Sequence, residues 1–326
     1  MIKTSNRSRT KKVSVLILLS LYPLISSFAF HAHGYEADTF QFSGERTMNL
    51  IRKQVAFGPR SPENAESKEN TLQFIHDSLK PYTDSITILP FKALGYRGYN
   101  LLANFSGRSQ GPRPKLMLGA HWDTRALADR DPNYFKRDSP VLGANDGASG
   151  VAVLLELGRL LSNSRQAVDV DLIFFDLEDM GGINGLPFSI GAQTFVEKSP
   201  DYRPSAGIIV DMVCDKNLRI PKEINSFNAA PEVIDKVWES ARRQRAEVFK
   251  NEFGAAIIDD HVPFLASGIP VVNLIHYPFP RYWHTSDDTI ENCSIDSLEQ
   301  VGRVLLDFIS TYQSDANGSA ATSKLD

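Results

Sequence analysis

Short apolar runs alternate with helical patterns through the central and C-terminal parts of the chain. Four runs are bounded by turn or polar residues, as strands buried on both faces of a sheet would be; they cover 116–120, 172–175, 208–210 and 271–275. Apolar residues at helical spacing predict helices at 150–161, 231–249 and 296–312. This alternation predicts an α/β fold, a three-layer sandwich in which helices flank a mixed, mostly parallel central sheet.

The N-terminal part of the chain has a different pattern. Helical spacing predicts helices at 35–56 and 64–80, and alternation across 85–105 predicts an antiparallel pair of strands. The sequence contains no internal repeat and no convincing linker, so residues 35–313 are expected to form a single domain. The small and polar residues at 314–326 predict a disordered tail.

Residues 1–34 are typical of an export signal. Five basic residues precede an uncharged apolar run at 13–30, and small residues follow as candidate cleavage positions. The alternative is an uncleaved anchor, because the run approaches the ~18 residues that can span a bilayer. Pro23 and the Ser26-Ser27 pair favour cleavage. We therefore expect an exported protein, periplasmic or secreted, that is free of the membrane after cleavage and membrane-anchored if the leader is retained.

Composition and charge exclude some classes of partner. The 326 residues are 42% hydrophobic and 23% charged, with a formal net charge of -4, as is ordinary for a globular protein. Removal of residues 1–34, which hold five basic and no acidic side chains, would move the net charge to about -9. A chain that acidic is a poor candidate for binding nucleic acid. Cys214 and Cys293 could pair in an exported protein or remain as free thiols, and both alternatives stay open because the sequence gives no distance between them.

Acidic and imidazole side chains follow the apolar runs. The run at 172–175 ends in Asp176, Glu178 and Asp179, whose crowded charges call for a metal ion or for a carboxylate with a raised pKa. The other runs lead to His121 and Asp123, to Asp211, and through Pro278 to Trp283 and His284. Because ligands bind at the carboxyl ends of parallel strands, these side chains are expected to converge. A single His or Asp at a strand end is usually only a hydrogen-bonded or turn residue, so the prediction depends on convergence.

A segment of small residues at 143–150 contributes Asp146, just before a predicted helix. Asp146 could simply cap that helix. The flanking glycines and alanines, however, suit close approach of the backbone to a bound ion. Imidazole together with carboxylates and an open position is the usual composition of a catalytic zinc site.

The order and spacing of these motifs resemble those of the zinc-dependent glutaminyl cyclases of animal type, which are similar in fold to the zinc aminopeptidases with co-catalytic metals. The resemblance runs from about Phe57 to about Tyr312. It is carried by six segments: His121-Trp122-Asp123, 143–150, 174–179, Asp211, 259–264 (DDHVPF) and 279–288 (FPRYWHTSDD).

The resemblance implies a zinc-dependent catalytic domain and one Zn²⁺ per chain, held by Asp146, Asp179 and His284, with Glu178 as the general acid/base. The expected reaction converts the N-terminal glutamine of a peptide or protein to pyroglutamate and releases ammonia. Adjacent residues on a strand point to opposite sides, so Glu178 and Asp179 can both face one ion only if a loop begins by 177–180.

Further roles are implied for residues around these ligands. Asp211 and Asp260 would form a carboxylate hydrogen-bond network beside the substrate's amine, and Trp283 would form a wall of the pocket. His121 and Asp123 correspond to positions that serve a second metal in the aminopeptidases and that remain in the cyclases without holding one. We expect a monomer that acts on peptides with an N-terminal glutamine.

Two residues depart from the animal pattern. Asp179 stands where those enzymes usually have Glu, which should be tolerated because Asp is an acceptable zinc ligand. Asn273 stands where they often have His, which puts the detail of the network around Asp211 and Asp260 in question.

The rival function is an exported aminopeptidase with two zinc ions. In that enzyme His121 and Asp211 would hold the second ion, and Glu178 would activate a bridging water. A third alternative, a metal-binding scaffold with a decayed site, is disfavoured because every expected ligand type is present and buried charge without use is destabilising.

Overall fold

The structure, a computed structural model, describes residues 41–108, 111–163 and 166–312. The strands are β1 Ser85–Ala93, β2 Tyr96–Phe105, β3 Lys115–His121, β4 Asp169–Phe175, β5 Ala206–Asp211, β6 Ile220–Lys222, β7 Phe249–Phe253 and β8 Val271–Ile275. The helices are α1 Gly44–Ala56, α2 Ala65–Leu79, α3 Ala148–Leu161, α4 Ile190–Lys198, α5 Ile224–Ala229, α6 Pro231–Gln244, α7 His261–Ala266 and α8 Ile295–Thr311. The predicted leader at 1–34 and the predicted tail at 314–326 lie outside the described residues.

The central sheet has six strands in the order β1-β2-β4-β3-β5-β8. β1 and β2 form the predicted antiparallel pair, and β2 is also antiparallel to β4. The remaining pairs, β4 with β3, β3 with β5, and β5 with β8, are parallel. The prediction of a mixed, mostly parallel sheet is therefore confirmed.

Successive residues of the parallel strands pack into two different hydrophobic clusters. In β4, Leu172 and Phe174 belong to the larger cluster, which α1, α3, α6 and α8 complete. Ile173 and Phe175 belong to the smaller cluster on the other face, with side chains of α4 and α7. Because each large apolar side chain stabilises the fold by ~1.5–3 kcal/mol when fully buried, both faces hold the strand in register. Helices thus flank the sheet on both sides, which confirms the three-layer sandwich.

Two predicted helices were too long. Residues 35–40 of the helix predicted at 35–56 lie outside the described residues, and in the described part the helix begins only at Gly44, because the Ser43 side chain accepts a hydrogen bond from the Arg46 amide and caps the helix there. The helix predicted at 231–249 ends at Gln244, because Arg245 adopts a left-handed conformation with φ 53°. The chain then continues into β7, whose Phe249 pairs with Ile220 of β6.

The two cysteines form a disulfide, Cys214–Cys293, which decides between the two alternatives left open by the sequence. The bridge joins the segment after β5 to the residues just before α8. Within the described ranges, none of the helices has both the length and the apolar character needed to cross a bilayer.

Candidate active site

The carboxyl ends of the parallel strands meet at one edge of the sheet. β3 ends at His121 and lies in register with the end of β4 at Phe175, so the acidic loop after β4 lies beside His121. β5 ends at Asp211, in register with Ile275 at the end of β8. The predicted convergence of residues distant in sequence is thus present in the structure.

Asp146, Asp179 and His284 form one group of potential metal ligands. Their candidate ligand atoms all lie within 4.8 Å of one another, and all three residues are buried. His284 Nε2 lies 3.2 Å from Asp179 Oδ1 and 3.7 Å from Asp146 Oδ2. Asp179 Oδ2 is buried and has no hydrogen-bond partner within the described part of the chain. One imidazole, two carboxylates and an unpartnered oxygen fit a zinc ion with an open coordination position.

His121, Asp146 and Asp211 form a second group that shares Asp146 with the first. His121 Nε2 lies 3.1 Å from both Asp146 Oδ1 and Asp211 Oδ1. Burial of the imidazole opposes its charge, but the carboxylates of Asp123, Asp146 and Asp211 raise the pKa of His121 well above its ordinary value. Burial raises the pKa of Asp211 to about 8. The two groups could hold two neighbouring ions, or one ion beside a charged imidazole.

Asp123 holds the loop that carries two of the predicted site residues. Its Oδ1 accepts a hydrogen bond from the Glu178 amide at 3.0 Å, and its Oδ2 accepts one from the Asp179 amide at 3.1 Å. Its Oδ1 also lies 3.5 Å from His121 Nδ1. Among the described residues, Asp123 belongs to neither group of potential ligands. Asp123 thus orients the loop that carries the potential ligand Asp179.

Asp288 holds the loop at 143–150 through backbone amides, as Asp123 holds the loop after β4. Its carboxylate accepts hydrogen bonds from the amides of Asn145 at 2.8 Å and Asp146 at 3.0 Å. Burial and the charge of Asp146 raise the pKa of Asp288 to about 7. Sequence reasoning quoted Asp288 only as part of a motif and gave it no role.

Arg60, which sequence reasoning missed, lies fully buried beneath the same loop. Its guanidinium donates hydrogen bonds to the carbonyls of Trp122, Leu142 and Gly143 at 2.7–2.9 Å. A Cβ added at Gly147, where φ is +99°, would lie 2.5 Å from the Asp123 carbonyl oxygen. Close packing against neighbouring backbone thus accounts for the glycine at this position, and Gly147 rather than Asp146 occupies the cap position of α3.

Arg125, also missed, holds Asp179 in place. Its Nη1 donates hydrogen bonds to the Asp179 carbonyl at 3.1 Å, to Asp179 Oδ1 at 3.3 Å and to the Gly181 carbonyl at 2.7 Å. The guanidinium is itself oriented by Asp129, which accepts from Nε and Nη2. A carboxylate fixed in this way loses little conformational freedom when it binds an ion.

Glu178 lies in a loop, as predicted for 177–180, because β4 ends at Phe175 and Leu177 has a left-handed φ of 62°. Burial raises the pKa of Glu178 well above its ordinary value, and the charges of Asp259 and Asp260 add to this effect. Asp176 accepts hydrogen bonds from the amides of Tyr99 and Leu177, both at 2.9 Å, so its carboxylate orients the turn after β4.

A cavity of about 280 Å³ opens onto these side chains. Trp283 lies in its wall, where its ring packs 3.8 Å from the His284 ring and 4.2 Å from the Phe279 ring, centroid to centroid. The guanidinium of Arg130 also lies 4.2 Å from the Trp283 ring. The acidic and imidazole residues that line the cavity are Asp146, Glu178, Asp179, Asp211, Asp259 and His284.

Asp259 lines the cavity, whereas the adjacent Asp260 is fully buried and is not among the lining residues. Asn273 donates a hydrogen bond from Nδ2 to Asp259 Oδ2 at 2.6 Å. Neither carboxylate oxygen of Asp260 has a hydrogen-bond partner in the described ranges, so no such bond joins it to Asp211 there. The role expected for Asp260 stays a prediction. Asp259 was missed, and only its position beside Asp260 in the DDHVPF segment pointed to it.

The chain is similar in sequence and in fold to known proteins. Peptidase family M28 matches the chain over residues 100–309. The glutaminyl-peptide cyclotransferase of Bos taurus is 26% identical over 293 aligned residues, which cover 78% of each chain. The structure of Tannerella forsythia glutaminyl cyclase has a TM-score of 0.77 and 30% identity, covering 84% of this chain and 100% of that one. A Zn-dependent exopeptidase from Parabacteroides distasonis has a TM-score of 0.78 and 30% identity, with the same coverage of 84% and 100%.

Proposed function

The chain belongs to peptidase family M28, and from that premise we propose that it is a zinc-dependent glutaminyl-peptide cyclotransferase. This acyltransferase converts an N-terminal glutamine to pyroglutamate and releases ammonia. The observation that carries the proposal is a small cavity, about 280 Å³, in which Glu178, Asp211 and Asp259 lie beside a potential zinc site. Pockets for drug-sized molecules hold ~300–1,000 Å³, so this cavity would enclose only a small part of a peptide, such as its first residue. The similarity to relatives described as glutaminyl cyclases supports the same activity.

The reaction requires little from the protein beyond orientation and proton transfer. The α-amine of the glutamine attacks its own side-chain carbonyl carbon, a new C–N bond closes the ring, and the old amide bond breaks. The attacking nitrogen loses one proton and the departing nitrogen gains one, so protons balance. Glu178 has a pKa raised by burial and lines the cavity, as a group that carries this proton should. Such general acid/base help accelerates a reaction by ~100- to 10,000-fold.

The potential metal ligands fit one zinc ion, which Asp146, Asp179 and His284 would hold. Bound zinc would supply Lewis-acid polarisation of the side-chain carbonyl. Arg125 and Asp123 keep the Asp179 carboxylate and the adjoining loop in place. These contacts reduce the reorganisation that binding requires.

The acidic residues across the cavity would orient the substrate's amine. Asp211 and Asp259 line the cavity, and their carboxylates can accept hydrogen bonds from the substrate's amine. Asp260, the residue expected from the resemblance, lies behind Asp259, and burial together with the charge of Asp259 raises its pKa well above its ordinary value. It would therefore act as a protonated group beside Asp259. Trp283 would cover the aliphatic part of the glutamine side chain and exclude water.

The second candidate function is a two-zinc aminopeptidase. One observation favours it: His121, Asp146 and Asp211 form a second potential metal site that shares Asp146 with the first. The exopeptidase from Parabacteroides distasonis is also as similar to this chain as the cyclase is. Metal analysis separates the two, because one tightly bound zinc per chain supports the cyclase and two support the aminopeptidase.

The zinc-loaded protein is to be incubated with the peptide Gln-Ala-Ala, and ammonia and free amino acids are measured together. The proposal expects ammonia without free glutamine, and free glutamine without ammonia would contradict it. Glu178→Gln should retain zinc but lose most of kcat. Glu156→Gln is a matched control, since Glu156 is a buried glutamate on α3 that pairs with Arg46 and Arg159 and does not line the cavity.

We also propose that the protein is exported. The leader pattern at 1–34 supports export, and the Cys214–Cys293 disulfide is suited to an oxidising compartment. N-terminal sequencing of protein recovered outside the cytoplasm tests this. A mature chain that begins near residue 34 is the expected result, and retention of residues 1–34 would contradict cleavage.

A further inference from the structure

A second groove, of about 640 Å³, adjoins the active-site cavity. Phe188, Ile258 and Asp259 line both spaces, so the groove and the cavity adjoin at these residues. The cavity has room for about one residue. When the first residue of a peptide is held there, the remaining residues must therefore extend out of the cavity. A chain that passes Phe188 and Ile258 enters this groove.

Three parts of the fold form the groove. The end of β1 contributes Lys92 and Ala93, and the turn after it contributes Leu94. From α4 the groove is lined by Ile190, Gln193, Thr194, Glu197 and Lys198. The start of α7 contributes Val262 and Pro263. The loop that joins the groove to the cavity is fixed to the active site, since the Ser189 amide donates a hydrogen bond to the Glu178 carbonyl at 3.2 Å.

Large apolar side chains stand exposed at this groove. Leu94 is 59% exposed and Ile258 is 68% exposed. Leu94 also has a positive φ of 49°, a conformation that asparagine or glycine adopts more readily than leucine. Exposed apolar side chains that border a groove are typical of a binding surface. Their chemistry suits apolar side chains of a partner.

We propose, on the premise of the cyclotransferase activity, that this groove binds the second and third residues of the substrate and favours apolar side chains there. An extended chain advances ~3.3–3.6 Å per residue, so residues two and three lie within ~7 Å of the glutamine. Of the two exposed apolar residues, Ile258 also lines the cavity, so Leu94 is the one whose replacement leaves the cavity lining unchanged.

The test compares kcat/KM for ammonia release from three probes: glutamine amide, Gln-Gly-Gly-amide and Gln-Leu-Leu-amide. The wild-type protein should favour the Leu-Leu probe over the Gly-Gly probe, mainly through KM. Leu94→Asn keeps a residue suited to positive φ and removes the apolar side chain. It should reduce the ratio of the two peptide rates by roughly three- to tenfold, since partial burial of a leucine is lost. Phe253→Thr is the matched control, because Phe253 is 60% exposed on β7 and lines neither space.

The possible outcomes distinguish a failure of the groove proposal from a failure of the proposed cyclotransferase activity. Equal kcat/KM for the two peptides in the wild type, or an unchanged ratio in Leu94→Asn, would overturn the groove while ammonia release still supports the cyclotransferase. An equal fall of the ratio in Phe253→Thr would also overturn it. No ammonia from any probe would overturn the proposed function, and with it the groove as part of that reaction.

Discussion

Replacement of Asp123 by Asn should weaken zinc binding about 10- to 100-fold, the range typical for residues that support metal ligands. Asp123 is fully buried, and its two carboxylate oxygens each accept one amide hydrogen bond, from Glu178 and from Asp179. An asparagine side chain keeps one acceptor and turns an NH₂ group toward the other amide. The loop that carries Asp179 then loses one of the two hydrogen bonds that Asp123 accepts from it.

The magnitude follows from the bond that is lost. A hydrogen bond to a charged group contributes ~1.5–3 kcal/mol, and a buried donor left unsatisfied costs about the same. If the loop must be restored to its position when zinc binds, that free energy appears in the dissociation constant. A loss of ~1.4–2.8 kcal/mol corresponds to the 10- to 100-fold change expected.

The assay is competition for zinc against a chromophoric chelator, together with urea unfolding of the metal-free protein. Asp171→Asn is the matched control, since Asp171 is a buried acceptor in β4 that binds Asn104 and Tyr202 at 2.7 and 2.9 Å, away from the site. Both variants should be less stable, and only Asp123→Asn should bind zinc weakly. Wild-type zinc affinity in Asp123→Asn, with a loss of stability like that of Asp171→Asn, would refute the positioning role.

Three further predictions concern other parts of the chain. Trp283→Ala should raise KM roughly tenfold because the aromatic wall of the cavity is lost, and Trp283→Phe should restore most of the affinity in steady-state kinetics. Replacement of both Cys214 and Cys293 by Ser should lower the free energy of unfolding by ~4 kcal/mol, measured in urea, because the bridge closes a loop of 79 residues. Glu223→Gln should lower stability at neutral pH by ~3 kcal/mol: burial alone would raise the pKa of Glu223, but His261, Ser226 and the Ile257 amide lower it from 4.5 to about 2. The stabilising contribution of the carboxylate is present above the pKa that Glu223 has in the unfolded chain, and it is lost as pH falls through the pKa of the folded state. The difference in free energy of unfolding between variant and wild type, measured by denaturation, should therefore shrink from about pH 5 to about pH 2.

Each of these predictions has an outcome that contradicts it. An unchanged KM in Trp283→Ala would show that the ring does not contact substrate. Equal unfolding midpoints for the wild type and the double Ser variant would mean that the disulfide does not restrict the unfolded chain. A stability difference for Glu223→Gln that stays constant at all pH values would mean that the charge of Glu223 is not what stabilises the segment around Ile257.

The sheet was predictable because its parallel strands are buried on both faces. The runs at 116–120, 172–175, 208–210 and 271–275 correspond to β3, β4, β5 and β8, and both faces of each are covered. The end of α6 was not predictable in the same way. Its apolar spacing continues to Phe249, but the left-handed conformation of Arg245 ends the helix, and Phe249 pairs with β6 instead. The helices α5 and α7 have six residues each, which is too short for a helical spacing of apolar residues to be recognised in the sequence.

The candidate site also contains residues that the sequence could predict and residues that it could not. Residues at strand ends, such as His121 and Asp211, could be found because the topology of parallel strands brings them to one edge. Arg60 could not, because its partners are backbone carbonyls, which leave no mark in the sequence. The choice between Asp259 and Asp260 depends on where α7 begins, and neighbouring residues at a helix start point in different directions.

The most direct test of the central claim is mass spectrometry of Gln-Leu-Leu-amide after incubation with the zinc-loaded protein. The cyclotransferase account predicts a product of full length whose mass is lower than that of the substrate by one ammonia. A shortened peptide, Leu-Leu-amide, together with free glutamine, would contradict it and identify an aminopeptidase.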